Sequence, residues 1–356
     1  MSKNQPTVTP FWKNKMVMGG IAVAMIVIVV LAVQYLKPNP YKGVPKQSIA
    51  FLKQGDEAME KQDIEKALDF YLKAIELDET FADASAKAAE AYVKAGLKHK
   101  ASRNSQMKEA MFSQANTYID KALSSNPNNG YAHYVKGLMA DEQNNIDEAI
   151  REMEIAEAAG VSTFDLHSML GFLYNSKEEA AKSVNQFQKA LHYKSDDVKT
   201  LYNLGELYFA LGNYSKAVNY YGELLKYDNK DKTSRASYAA ALWKNGDEAK
   251  AKEILNSILN DAQGKKITNY NLVAWALIDR DIDYDWGITL AKAAEELAPN
   301  NVESMDILGW GYFKKKDYEA AVQYLTRSMK TIPSDEVKRR LDMAKEKLEE
   351  SKKSGS

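Results

Sequence analysis

The chain has 356 residues, 48 Lys and Arg against 49 Asp and Glu, a formal net charge of −1, and no cysteine. Near-neutrality argues against nucleic acid as the main partner. The lack of cysteine excludes a disulfide framework and lipid attachment through a thiol; it fits an oxidising compartment without requiring one.

After a tail at 1–15, residues 16–36, MVMGGIAVAMIVIVVLAVQYL, carry no charge. A helix of this length rises about 1.5 Å per residue and spans roughly 31 Å, which predicts one transmembrane helix. Phe11 and Trp12 before it, and Tyr35 and Tyr41 after it, stand where interfacial rings sit, and Lys13, Lys15 and Lys37 bracket it. No small-x-small cleavage site follows, unlike a secretory signal. Lysines on both sides leave the positive-inside count undecided. The short acid-free tail places itself in the cytoplasm and the rest of the chain outside it. Gly20 and Ala24 form a small-xxx-small pair that would let two copies pack, a possible homo-oligomer, although such pairs also arise by chance.

Residues 37–47 hold Pro38, Pro40 and Pro45 and read as a semi-rigid linker. Beyond it, small residues recur in three registers. One runs through Gly55, Ala89, Gly137, Gly171, Gly205, Ala239 and Gly309, with Gly137, Gly171, Gly205 and Ala239 each 34 apart. A second holds Ala67, Ala115, Ala149, Ser183, Ala217, Ala251, Gly287 and Ala321; a third holds Ala74, Ala122, Ala156, Ala190, Ala294 and Ser328. Antiparallel helices approach closely only at small side chains, and large ones such as Tyr92, Tyr174, Tyr208 and Tyr312 fill the space between. Turn residues at Gly212-Asn213 and Gly246-Asp247 separate the two helices of a unit, and Pro127, Pro299 and Pro333 stop the second.

This pattern resembles the tetratricopeptide repeat family, on the segments Tyr202-Asn203-Leu204-Gly205-Glu206-Leu207-Tyr208 and Ile307-Leu308-Gly309-Trp310-Gly311-Tyr312. The resemblance implies an all-α, right-handed superhelix of about eight helix-turn-helix repeats over residues 48–335. An amphipathic capping helix at 336–350 and a disordered tail at 351–356 complete the chain. The second unit gains fourteen residues, and the seventh has Trp275 where glycine or alanine is usual.

In this family the first helix of each unit lines a groove. The resemblance places Tyr131, Tyr134, Phe172, Tyr202, Phe209, Trp243, Trp310 and Phe313 at groove positions, where their aromatic area suits recognition of a partner segment. The competing account is packing on the neighbouring first helix. Lys199, Glu206, Asp165, Glu303 and Asp306 would add polar specificity. The family's lysine-asparagine clamp for carboxylate tails is not matched, since Leu52 and Asp56 occupy the relevant positions of the first unit. The insertion supplies a basic tip, Lys98, Lys100, Arg103 and Lys108, on an extended second helix. It would meet anionic head groups or an acidic protein surface, or else be a solvated turn.

Enzyme-like signals are weak. His133 and His167 stand at one repeat position and read as packing residues, with no metal expected. Asp279, Asp281, Asp283 and Asp285 alternate like a calcium loop, but Tyr284 and Leu290 replace the required glycine and glutamate. The expectation is therefore a non-catalytic, cofactor-free scaffold of a bacterial inner membrane. It would be single-pass, with a periplasmic repeat domain binding extended or helical segments of other proteins. The alternatives are a cytoplasm-facing receptor, or an accessory subunit of an enzyme complex in cell-envelope synthesis or cytochrome maturation.

Overall fold

The computed structural model describes residues 41–101, 105–262 and 266–354. The expected transmembrane helix at 16–36, the tail before it, the start of the linker and Arg103 lie outside them. Among the described residues there are seventeen α-helices and no strand, and no helix is long and apolar enough to cross a membrane.

The helices form two compact units, one ending at Val135 and one beginning at Lys136. The first contains α1 (Lys46–Glu60), α2 (Ile64–Leu77), α3 (Ala82–Ala101), α4 (Ser105–Ser125) and the start of α5 (Gly130–Glu142). The second continues α5 and adds α6 (Ile146–Ala158), α7 (Phe164–Ser176), α8 (Ala180–Tyr193), α9 (Val198–Ala210), α10 (Tyr214–Tyr227), α11 (Lys232–Lys244) and α12 (Glu248–Leu259). It ends with α13 (Lys266–Asp279), α14 (Tyr284–Leu297), α15 (Val302–Lys314), α16 (Tyr318–Thr331) and α17 (Asp335–Ser354). Odd-numbered helices up to α15 open each pair, and even-numbered ones close it. The final helix runs to Ser354, through part of the expected tail.

Local chemistry sets the boundaries. Asp63, Asn213, Asp247 and Asp317 cap the second helices, each accepting the N–H three residues on. Just before each of these caps the backbone turns left-handed. Gly212 and Gly246 meet that demand at φ 71° and 97°. Gln62, Asn144, Glu178 and Lys316 accept φ of 59–65° at the same place, so the repeat imposes the turn even without glycine.

The small registers are the close crossings. A Cβ on Gly205 would stand 2.5 Å from the Tyr221 ring, and one on Gly171 2.6 Å from Phe187. Ala67, Ala149, Ala217, Ala251 and Ala321 are wholly buried. Tyr92, Tyr208 and Tyr312 do fill space between helices, stacking on Tyr118, Tyr220 and Tyr324 with ring centres 5.5–5.6 Å apart.

Two expectations need correction. The insertion lengthens both helices of the second pair: α3 has 20 residues and α4 has 21. Growing one helix alone would leave its apolar face bare, whereas growing both lets Phe112 cover Gly96. In the seventh pair the small residue is Ala274, not Trp275. A Cβ on Gly287 would lie 3.1 Å from the Ala274 carbonyl, and the left-handed turn residue is Asp281, 35 from both Gly246 and Lys316. One extra residue in this turn shifts α13 against α14 and rotates Trp275 out of the crossing.

Candidate functional site

The aromatics expected at groove positions all lie on the first helices of their pairs, Tyr131 and Tyr134 in the first unit and the rest in the second. In the first unit, Tyr131 is half-buried with the Lys87 ammonium 4.0 Å from its ring centre, whereas Tyr134 is only 6% exposed and packs inward. Beside Tyr131 lies a cavity of about 390 Å³ walled by Leu52, Asp56, Met59, Lys87 and Glu90. Lys87 and Lys94 both pair with Glu90, at 3.1 and 2.9 Å. Burial opposes ionisation of Glu90, but these two ammonium groups outweigh it and hold the carboxyl below its usual range. Tyr41 packs edge-on against Phe81 with centres 5.5 Å apart, and lines the same cavity.

In the second unit the remaining aromatics expected at groove positions are all half-buried. Phe172 packs edge-on against Phe187 and carries the Lys199 ammonium 4.4 Å from its centre. Tyr202 and Phe209 flank Glu206, and a second cavity of about 400 Å³ opens beside Tyr202 against Asp231 and Ser234. Trp243 turns to Trp286, with centres 6.4 Å apart. Trp310 and Phe313 stack with centres 5.0 Å apart and planes within 7°. Tyr131 and Tyr202 each line a cavity, while Phe172, Phe209, Trp243, Trp310 and Phe313 pack against other rings.

Two arginines that sequence reasoning missed pack against these rings and pair with nearby carboxylates. Arg280, in the turn after α13, donates to both oxygens of Glu206 at 2.8 and 2.6 Å, with its guanidinium 4.4 Å from the Phe209 ring. Ser237 and Tyr221 donate to the same carboxylate at 3.2 and 2.5 Å. Burial raises the Tyr202 hydroxyl pKa, and the Glu206 charge adds to it. Arg340 of α17 is 7% exposed; it donates to Asp306 at 2.5 Å and to Glu336 at 2.9 Å, with guanidinium-to-ring distances of 4.7 Å to Trp275 and 5.5 Å to Trp310. The Trp310 indole N–H and one Asp306 oxygen are buried in this pocket without a hydrogen-bond partner. Trp275 was legible in principle, because treating Ala274 as the small residue moves Trp275 to the position held by Trp310.

The other signals resolve simply. Both His167 ring nitrogens are hydrogen-bonded, to Gln186 at 2.7 Å and Ser162 at 2.9 Å, and the His133 ring contacts the Pro127 carbonyl at 3.0 Å. In the acidic turn, Asp281 pairs with Lys314 at 2.7 Å, Asp285 pairs with Lys315, and Asp283 caps α14. Among the described residues no group of three or more metal-ligating side chains gathers. Of the basic insertion, Lys98 on α3 is exposed, and the Lys108 ammonium on α4 lies 5.0 Å from the Phe112 ring centre.

Four stretches match models of one repeat, described as tetratricopeptide or TPR repeats: 55–96, 104–160, 198–231 and 302–335. The chain belongs to the tetratricopeptide repeat family. A curated relative of this repeat protein, BBSome complex member BBS4 of Bos taurus, is 24% identical over 194 residues, covering 51% of this chain and 34% of that one. The chain therefore spans about a third of the length of that relative. Among solved structures, Pseudomonas aeruginosa pilF is similar with a TM-score of 0.47 and 18% identity over 62% of this chain and 94% of its own. YrrB, titled a TPR protein with an unusual peptide-binding site, has a TM-score of 0.43 and 18% identity over 62% of this chain and 97% of its own. Tetratricopeptide repeat proteins typically mediate protein–protein interaction and are generally non-catalytic scaffolds.

Proposed function

We propose that this protein is a membrane-anchored adaptor that binds segments of partner proteins on its groove face. The carrying observation is that seven of the eight expected groove aromatics are only partly buried on first helices, while the close crossings are filled by other rings such as Tyr71, Phe187 and Tyr221. Aromatic area beyond what the core uses suits recognition of an apolar or cationic side chain. The uncharged run at 16–36 supplies the anchor, and the acid-free tail before it favours a bacterial inner membrane with the repeats in the periplasm. The adaptor acts by raising local concentration and fixing orientation, with no chemistry of its own.

Affinity capture with the detergent-solubilised full-length chain tests this reading. A discrete partner should be recovered by the wild type and reduced by Phe172→Ala. A chain that recovers no specific partner contradicts the adaptor role. Protease added to intact spheroplasts tests the orientation: digestion of the repeats supports the periplasm, and full protection contradicts it.

A further inference from the structure

The repeat contains one buried tyrosine–carboxylate pair twice, with a guanidinium in only one copy. In α9 and α10, Tyr221 lies beneath Gly205 and donates to Glu206 at 2.5 Å; in α1 and α2, Tyr71 lies beneath Gly55 and donates to Asp56 at 2.8 Å. Both pairs are fifteen residues apart and occupy the same repeat positions. Glu206 is completed by Arg280. Among the described residues, no cation pairs with Asp56. Lys87, the nearest lysine by charge effect, is held by Glu90 at 3.1 Å and rests on the Tyr131 ring.

What stands in front of Asp56 is the cavity of about 390 Å³. Its walls carry Asp56, Glu60, Asp83 and Glu90 against Lys87 and Lys94. Both lysines are committed to Glu90, so the remaining carboxylates leave surplus negative charge. Leu52 and Met59 give the same cavity an apolar wall. A side chain with a long aliphatic stem and a cationic head matches both walls. Burial pushes the Asp56 carboxyl pKa up despite the Tyr71 hydrogen bond and the Lys87 charge, the cost that an arriving cation relieves.

Resting on the adaptor reading, we infer that the Asp56 cavity is the docking site for an arginine side chain of the partner protein. Asp56 takes the place toward that arginine which Glu206 takes toward Arg280, and Leu52 and Met59 cover the stem. A planar guanidinium fits better than an ammonium, because it offers a fork of donors to a carboxylate already bonded to a tyrosine.

The test uses full-length protein in detergent and a fluorescein-labelled nonapeptide with one arginine in a leucine–alanine background. The comparison peptide carries citrulline, the neutral isostere, at that position. Fluorescence anisotropy should show the arginine peptide binding at least about tenfold more tightly than the citrulline peptide. Asp56→Asn, which keeps an acceptor for Tyr71, should erase that difference while leaving the helical circular dichroism and citrulline binding unchanged. Equal binding of the two peptides, no binding of either up to about a millimolar, or a difference that survives Asp56→Asn overturns the inference. In affinity capture, equal recovery of a partner by wild type and Asp56→Asn also overturns it and leaves the adaptor reading standing. A wild type that recovers nothing overturns the adaptor reading itself.

Discussion

The guanidinium of Arg340 lies 4.7 Å from the centre of the Trp275 ring, so the last helix is fastened to α13 by a side chain of its own. The same arginine neutralises Asp306, whose carboxyl is pushed up by burial and pulled down by that guanidinium. Helix α17 buries Val337, Leu341 and Ala344 alongside it, while its second half is mostly exposed. Arg340 is thus a main tether of the helix that closes the repeat array.

Replacing Arg340 with alanine should therefore cost roughly 3 kcal/mol, because it leaves the Asp306 charge buried and unpaired. Hydrogen exchange should show residues 335–354 losing protection first. The double variant with Asp306→Asn should recover much of the loss, since no charge is then stranded. Unchanged protection in the single variant contradicts this tether.

How far the sequence alone leads is clear at this pocket. The small registers located the crossings at Gly171, Gly205 and Gly309, because steric demand repeats with the period. The same counting set Trp310 directly after the small residue Gly309 on a first helix. Trp275 was missed because one added turn residue before Asp283 breaks the count within a single pair. Arg280 and Arg340 were missed for a different reason. Arg280 is 74 residues from Glu206 and Arg340 is 34 from Asp306, and nothing in the local pattern announces either pairing. Periodicity encodes contacts that every repeat makes, whereas the pockets depend on contacts made once.

The crossing geometry predicts opposite outcomes at two glycines. Gly205→Ala should destabilise by roughly 1–3 kcal/mol, since its Cβ would overlap the fully buried Tyr221 ring. Gly222→Ala should be neutral or stabilising by up to about 1 kcal/mol, because its Cβ meets only Tyr238 at 3.8 Å and alanine favours the helix. Urea unfolding of both variants provides the check, and equal effects contradict the packing account.

Acid should expose the Lys87–Glu90–Lys94 cluster. The depressed Glu90 carboxyl contributes stability that is present above its unfolded value of about 4.5 and is lost as pH falls through the lower folded value. The thermal midpoint of the wild type should thus fall more steeply below about pH 4.5 than that of Glu90→Gln. Asp56, shifted upward mainly by burial and in part by the Glu90 charge, acts in the opposite sense and offsets part of this difference. Parallel curves contradict a stabilising role for the cluster.

The account's central claim is that partners are held on the groove face. Tyr131 and Phe172 are half-buried on the first helices α5 and α7, each within its own unit, whereas Tyr227 is 50% exposed at the end of the second helix α10. The direct measurement is photo-crosslinking in cells, with a photoreactive phenylalanine placed at each of these three positions in turn. Discrete crosslinked partners should appear from positions 131 and 172 and be absent from position 227. Crosslinks from 227 alone, or none from either groove position, would contradict the claim.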